Sequence, residues 1–364
     1  MTNSTDMPLR YAQIGDLHLT DPGLANHQDY LAIVQELNEQ ASACLDFVYL
    51  PGDNADDGTS DQFALVRAGL NQLRLPCHVI PGDHDFKPRS LEAFYRGLDV
   101  PQLPYRADIR ERACLFLDVV SHGSGGPDFR LGARQFAWLS DQLADAARDD
   151  KRCAVFMHAY PADLGDEADQ LSRLLDSSTA QLVAMGHTHY NEIAHDGHTI
   201  YAATRSTGQI EEGPVGFSVA ALDGDAVSWR FKPLASPWPF VMITSPADRR
   251  LSFDRTAPHH HVRASVWGAS RIITAECRMD DGPWRPMRGT GHGLFESALG
   301  PHGESFALEV RVADESGSLG HDRIEVGPAT SRNSTGSDAG SVGAWPDRHV
   351  FGTQLGPNRN GRKW

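Results

Sequence analysis

Cysteine is scarce in this chain of 364 residues: there are five, and none forms a CxxC pair. Cys44, Cys77, Cys114, Cys153 and Cys277 fall mostly in apolar runs. That reads as buried free thiols in a reducing cytoplasm rather than a disulfide framework. Long apolar runs are missing too, for none approaches the ~18 residues of a membrane span. The opening MTNSTDMPLR has no apolar core and leads directly into a strand pattern, so a secretory signal is not expected. Positive charge is in deficit: 33 Lys and Arg face 48 Asp and Glu, for a net charge of −15. This disfavours nucleic-acid polymers and anionic membranes as partners. It also sets a requirement, because any phosphate-handling site here must supply its own local positive charge.

What is present is ordinary globular composition, 40% hydrophobic and 22% charged, in a chain long enough for two domains. Short apolar runs at 10–15, 47–50, 77–80, 153–157 and 181–185 have strand length, with a further strand over 114–120. Segments 28–44 and 60–73 between them have helical length and spacing. A strongly amphipathic helix is expected over 134–147, with Phe136, Leu139 and Leu143 on one face. The pattern predicts a layered α/β domain over residues 1–234. Asp196-Gly197 and Asp223-Gly224 mark hairpins near its end. Prolines at 233, 237, 239 and 246 suggest a linker over 235–247. Short alternating segments over 248–327 predict a small all-β sandwich, immunoglobulin-like in its spacing. Residues 328–344 read as a flexible linker. Trp345, Val350, Phe351, Leu355 and Trp364 are too apolar for a solvated tail, and this end is expected to dock back onto a folded domain.

All five runs end in acid or imidazole. After 10–15 comes Asp16-Leu17-His18; after 47–50, Pro51-Gly52-Asp53-Asn54; after 77–80, Pro81-Gly82-Asp83-His84-Asp85. After 153–157 comes His158, and after 181–185, Gly186-His187-Thr188-His189. Ligand sites of open α/β sheets lie beyond the carboxyl ends of the strands. A shared edge would gather Asp16, His18, Asp53, Asp83, His84, His158, His187 and His189. Several carboxylates cannot crowd together ionised without a counter-charge. Two metal ions would supply it, and mixed imidazole and carboxylate donors suit Mn, Fe, Zn or Co better than Ca or Mg. Such a pair clamps a phosphate and generates hydroxide at neutral pH.

In the order DxH, GDxx, a GNH[DE]-like GDHD, H and GHxH, residues 10–232 resemble the calcineurin-like metallophosphoesterases. The bacterial cyclic-nucleotide and glycerophosphodiester phosphodiesterase branch is the most similar in length and spacing. The resemblance implies a β-sandwich flanked by helices, a dinuclear centre, and cleavage of P–O bonds by a metal-bridging hydroxide. It implies that Asp16, His18, Asp53 and His189 hold one metal, with Asp53 bridging. Asp83, His158 and His187 would hold the other. It further implies that His84 contacts the phosphate and assists the leaving group, with Asp85 orienting its ring.

One residue departs from the family pattern, which has Asn where Asp83 stands. An ionised Asp lacks the amide donor and adds a third negative charge to the cluster, which an Fe³⁺/M²⁺ pair would offset. Asn54, His122 and Arg205 are candidate substrate contacts. Asp56 and Asp57 are assigned to starting the next helix. His195 and His198 are read as exposed beside a turn, and the His259-His260-His261 run as a polar strand entrance. The expected partner is a small phosphate ester, a diester by preference, with a homo-oligomer left open. Three rivals stand beside this reading. One is a phosphomonoesterase on the same site. Another is a metal-containing binding protein silenced by Asp83. The last makes the β-sandwich an adhesion or assembly module. The loops 54–60, 86–104 and 122–130 are where specificity would be set.

Overall fold

Tyr11 and Ala12 are neighbours that enter different hydrophobic cores, and this alternation builds the N-terminal unit. The computed structural model describes residues 7–123, 128–253, 260–329 and 340–352. In chain order the unit contains β1 (Leu9–Gln13), α1 (Ala25–Gln40), β2 (Phe47–Leu50), α2 (Ser60–Leu70), β3 (Cys77–Val79) and α3 (Glu92–Leu98). Next come β4 (Tyr105–Ile109), β5 (Arg112–Phe116), α4 (Gly132–Arg148), β6 (Arg152–Phe156), α5 (Ala168–Asp176) and β7 (Ala180–Met185). It closes with β8 (Glu192–His195), β9 (Ile200–Ala203), β10 (Gly216–Asp223) and β11 (Ala226–Pro233).

The strands make two sheets, ordered β11-β10-β1-β2-β3 and β4-β5-β6-β7-β9-β8. Within them β1, β2 and β3 run parallel, as do β5, β6, β7 and β9. Tyr11, Phe47 and Tyr49 of the first sheet face Phe116 and Phe156 of the second. The Tyr49 and Phe156 rings sit 4.8 Å apart edge-to-face. The other core joins the opposite strand faces to helix residues such as Ile33, Phe63, Leu139 and Leu171. On α4 the buried face is Gln135, Leu139, Leu143 and Ala146, and Phe136 sits at its margin. Parallel strands with shared direction place the ends of β1, β2 and β3, and those of β6 and β7, along one rim. That rim carries the site.

The C-terminal unit has two four-stranded sheets. One comprises Phe240–Ser245, His261–Trp267, Leu294–Ala298 and Arg288–Gly291; the other comprises Arg285–Pro286, Ile272–Met279, Phe306–Asp314 and Leu319–Val326. All their pairings are antiparallel, and Val262, Ala264, Val310, Val312 and Ile324 share one core between them. The stretch expected as a linker over 235–247 is therefore corrected: Phe240–Ser245 is a strand inside it. Its flanking prolines, 239 and 246, bound the strand instead of interrupting it. Phe240, Met242 and Trp267 are buried in the same core as α1, so the two units are packed together.

Residues 340–352 lie on the N-terminal unit. Ser341 bridges Ala194 of edge strand β8, and Trp345 and Val350 enter the core between the sheets. Leu355, Trp364 and His259 fall outside the described residues. His195 is buried rather than exposed, its N–H donating to the Gly340 carbonyl, while His198 is partly buried against the Ser178 carbonyl. Among the described residues no helix is long and apolar enough to cross a membrane.

Candidate metal centre

Strand direction alone does not aim a side chain; backbone shape at the strand end does. His18, Asp53, His187 and His189 all adopt positive φ, at 45°, 50°, 65° and 64°. Non-glycine residues avoid this region, and such strain gathers at functional sites. Glycines beside them allow close approach. A Cβ on Gly82 would fall 2.2 Å from Asp53 Oδ1, and one on Gly52, itself at φ 111°, 2.5 Å from His158 Nδ1.

The result is two donor groups that share Asp53. His18, Asp53 and His189 form one, and Asp53, Asp83, His158 and His187 the other, with the offered atoms of each within 4.8 Å of one another. His18 Nε2 and His189 Nε2 are 3.1 Å apart. Asp83 Oδ1 lies 3.2 Å from His158 Nε2 and 3.3 Å from His187 Nδ1. His158 donates Nδ1–H to the Pro51 carbonyl at 2.8 Å, which leaves Nε2 as the nitrogen that could take a metal ion. Asp16 is fully buried; one oxygen accepts the His187 N–H, and Oδ1 has no hydrogen-bond partner.

These donors fit a pair of cations. Two imidazole nitrogens bound to one tetrahedral ion at ~2.0–2.1 Å lie roughly 3.3 Å apart, close to the His18–His189 separation. A buried carboxylate oxygen without a partner is costly unless a cation faces it. The protein alone balances the charges poorly. Burial, then Asp83, pushes the Asp53 carboxyl well up, and burial raises Asp16. Burial also opposes ionisation of Asp83, but hydrogen bonds from His158 and His187 hold its carboxyl well below the usual range. For His158, burial is outweighed by Asp53 and Asp83, and the ring is pushed up to about 10. Burial and then His18 bring His189 down to about 2.

His84 stands beside this cluster with its ring centroid 4.4 Å from that of His18. Its backbone N–H donates to Asp53 Oδ1 at 2.8 Å. The expectation that Asp85 orients its ring is corrected. Both Asp85 oxygens are occupied by the N–H groups of Gly82, Asn54 and Ala55 and by the Asn54 amide. Asp56 holds His84 instead: its Oδ1 lies 2.9 Å from His84 Nδ1 and 3.1 Å from His18 Nδ1. The carboxyl is held far below its ordinary range by the His18 hydrogen bond, against some burial. The helix start expected of Asp56 and Asp57 is capped by Thr59, whose side chain accepts the Gln62 N–H, while Asp57 does support it by pairing with the Gln62 side chain. The signal was available in GDNADD, where Asp56 comes three residues after the strand-end Asp53, but carboxylates there also suit a helix N-terminus.

The three candidate substrate contacts are not brought together. Asn54 is fully buried, and its amide donates to the Ile80 carbonyl and Asp85. Arg205 is buried too, and its guanidinium grips the carbonyls of Glu212, Pro214 and His349. His122 is exposed with its ring against Gly132, and it joins neither donor group. Phe129, by contrast, lines the centre without having been singled out, its ring 4.7 Å from His187. A phenylalanine in a glycine-rich loop gives no sequence signal for that. Lys87 supplies positive charge at the rim, 3.3 Å from Asp57 and 3.7 Å from Asp56.

The family model described as calcineurin-like phosphoesterase matches residues 9–191. A glycerophosphodiester phosphodiesterase GpdQ of Enterobacter lignolyticus is 33% identical over 149 residues, 39% of this chain and 50% of that protein. A probable cyclic nucleotide phosphodiesterase of Fibrobacter succinogenes is 24% identical over 242 residues, 61% of this chain and 88% of the relative. The match to GpdQ thus spans half of that protein's length. In fold, the chain is similar to a dimetal phosphatase from Danio rerio, with TM-score 0.50 and 16% identity over 63% of this chain and 98% of that one. It is also similar to a purple acid phosphatase from yellow lupin, with TM-score 0.51 and 13% identity over 65% and 53% of the two chains.

Proposed function

The chain belongs to the calcineurin-like phosphoesterase family, and we propose that it is a dinuclear phosphodiesterase for a small phosphate diester of the cyclic-nucleotide or glycerophosphodiester class. The observation that carries this is the pair of donor groups sharing Asp53 on one sheet rim. His18, Asp53, Asp16 and His189 would hold one ion, and Asp53, Asp83, His158 and His187 the other. Mn²⁺, Zn²⁺ or iron suits these donors. Two such ions, when bound, supply Lewis-acid activation of water and neutralisation of phosphoryl charge.

The chain's own residues do the remaining work. Asp56 fixes the Nδ1–H of His84, so Nε2 is the nitrogen turned to the substrate. Burial and then His18 hold the His84 pKa below its ordinary value, so the protonated ring gives up its Nε2 proton readily to the departing alkoxide. Asp85 keeps the 80–85 turn folded so that Asp83 and His84 stay aimed. Lys87 adds positive charge at the mouth of an acidic protein. Asp83 brings a third carboxylate, which would lower the net charge of the centre, and a mixed Fe³⁺/M²⁺ pair would offset it. A singly charged diester suits such a centre better than a monoester with nearly two charges. The diester reading is also supported by the names of the bacterial relatives.

Initial rates on bis(4-nitrophenyl) phosphate and 4-nitrophenyl phosphate, with Mn²⁺ present, test the reading. Faster diester turnover is expected. A reversed ratio would make the protein a monoesterase, and metal uptake with no turnover of either would make it a binding protein.

A further inference from the structure

The described C-terminal segment, 340–352, joins the rest of the protein at three levels. Its start extends the six-stranded sheet: the His195 N–H donates to Gly340 and the Val342 N–H to Ile193, at 2.8 and 3.0 Å. Its middle anchors in the core through Trp345 and Val350, with Arg250 over the Trp345 ring at 4.6 Å. Arg348 makes a buried ion pair with Asp322 of the C-terminal unit. Its end turns at His349, which takes the left-handed conformation at φ 58°, a region uncommon for residues other than glycine but more open to histidine than to most.

That turn aims the His349 carbonyl at two donors. The Asn191 amide reaches it at 3.0 Å and the Arg205 guanidinium at 2.7 Å. Asn191 Oδ1 in turn accepts the Arg205 backbone N–H at 2.9 Å, closing a triangle of Asn191, Arg205 and His349. Arg205 is further clamped between Phe231 and Phe351, its guanidinium carbon 4.6 and 5.1 Å from the two ring centres.

The other side of this triangle is the metal centre. Asn191 stands two residues after His189. Ser206, next to Arg205, donates its N–H to the His189 carbonyl at 3.3 Å and its hydroxyl to the Asp16 carbonyl at 2.7 Å. Thr207 and Gly208 also donate to Asp16 through their backbone N–H groups. His189 belongs to a donor group of the proposed centre, and Asp16, which is outside both groups, is its ligand by the family resemblance. A continuous polar path therefore runs from the C-terminal segment to the loops of Asp16 and His189, which are remote from it in sequence.

We infer that residues 340–352 are a strap belonging to the metal centre, and that Asn191 and Arg205 are positioning residues through which it fixes the Asp16 and His189 loops. The inference rests on the proposed metal centre. Groups hydrogen-bonded directly to a ligating side chain typically hold ~10–100-fold of metal affinity, and these residues, acting one step further out, belong at the low end of that range.

Mn²⁺ titration into the metal-free full-length protein, followed by calorimetry alongside a thermal melt, tests it. Asn191→Ala removes one link of the triangle. Trp345→Ala loosens the strap far from any ligand, and Arg205→Lys keeps the charge but loses the planar fork. Val312→Ala, in the C-terminal core, is the control for simple destabilisation. The expected result is Mn²⁺ binding weakened ~10-fold or more in Asn191→Ala and Trp345→Ala, and less in Arg205→Lys. Val312→Ala should bind like the wild type at a comparably lowered melting temperature. If Trp345→Ala does not fold, Asn191→Ala and Arg205→Lys decide the matter. Wild-type affinity in the folded strap variants would overturn the strap alone, as would equal weakening in Val312→Ala. No Mn²⁺ uptake by the wild type would overturn the metal-centre reading and the strap with it.

Discussion

Asp56 Oδ1 lies 2.9 Å from His84 Nδ1. This carboxylate and the Asp56 backbone carbonyl, also 2.9 Å from Nδ1, together set which nitrogen of the proposed leaving-group acid carries its fixed proton, and the same carboxylate oxygen reaches His18 Nδ1 at 3.1 Å. Asp56→Ala should lower kcat on bis(4-nitrophenyl) phosphate by ~10–100-fold with a smaller change in KM. Steady-state kinetics check this, and a kcat within about twofold of wild type would show that the Asp56 backbone carbonyl orients His84 without the carboxylate.

Asp85 is expected to matter for folding more than for chemistry. Four donors converge on it, from Gly82, Ala55, and the backbone and amide of Asn54. Asp85→Ala would leave them buried and unsatisfied, each costing about 1–3 kcal/mol. Urea unfolding should register a loss of at least ~3 kcal/mol. A variant as stable as wild type would contradict the role assigned here.

Gly82→Ala tests how tightly the shared Asp53 carboxylate is packed. The added methyl would sit 2.2 Å from Asp53 Oδ1 and 2.3 Å from the Asp53 backbone nitrogen, and a backbone atom cannot swing away. The variant should fold yet retain less metal per chain, by elemental analysis, than wild type. Full metal occupancy would mean the turn has slack that the distances deny.

His78 gives a pH dependence away from the metal centre. Its ring stacks on Phe116 at 4.4 Å and meets the Tyr105 hydroxyl at 2.9 Å, and burial pulls its pKa down to about 4. The folded value lies below the unfolded one, so the unfolded chain takes up the proton first as pH falls. Stability from this residue is full above about 6.5 and is lost between 6.5 and 4, by up to about 3 kcal/mol. His78→Phe should flatten the fall in unfolding free energy across that window. An unchanged slope would place the acid sensitivity elsewhere.

The site was legible in the sequence because parallel strands end on one rim. Asp16, Asp53, Asp83, His158 and His187 each come just after an apolar run, and strand-end position alone predicts that they meet. Roles that depend on side-chain direction were not legible. Asp85 and Asp56 are both acids near His84, and only the turn geometry gives one to the backbone and the other to the imidazole. Arg205 reads as a candidate substrate contact because nothing in its neighbourhood announces a partner 144 residues away. The prolines at 239 and 246 suggested a break, yet they flank a strand whose Phe240 and Met242 reach the main core.

If the rim cluster holds two ions and cleaves diesters, metal content and turnover must rise and fall together. Both should be measured, with bis(4-nitrophenyl) phosphate as substrate, on wild type, Asp53→Asn and Asp83→Asn. Expected are two ions per wild-type chain, loss of both metal and turnover in Asp53→Asn, and no gain in Asp83→Asn. A wild type without turnover that gains it as Asp83→Asn, or a wild type holding no metal, would contradict the dinuclear phosphodiesterase.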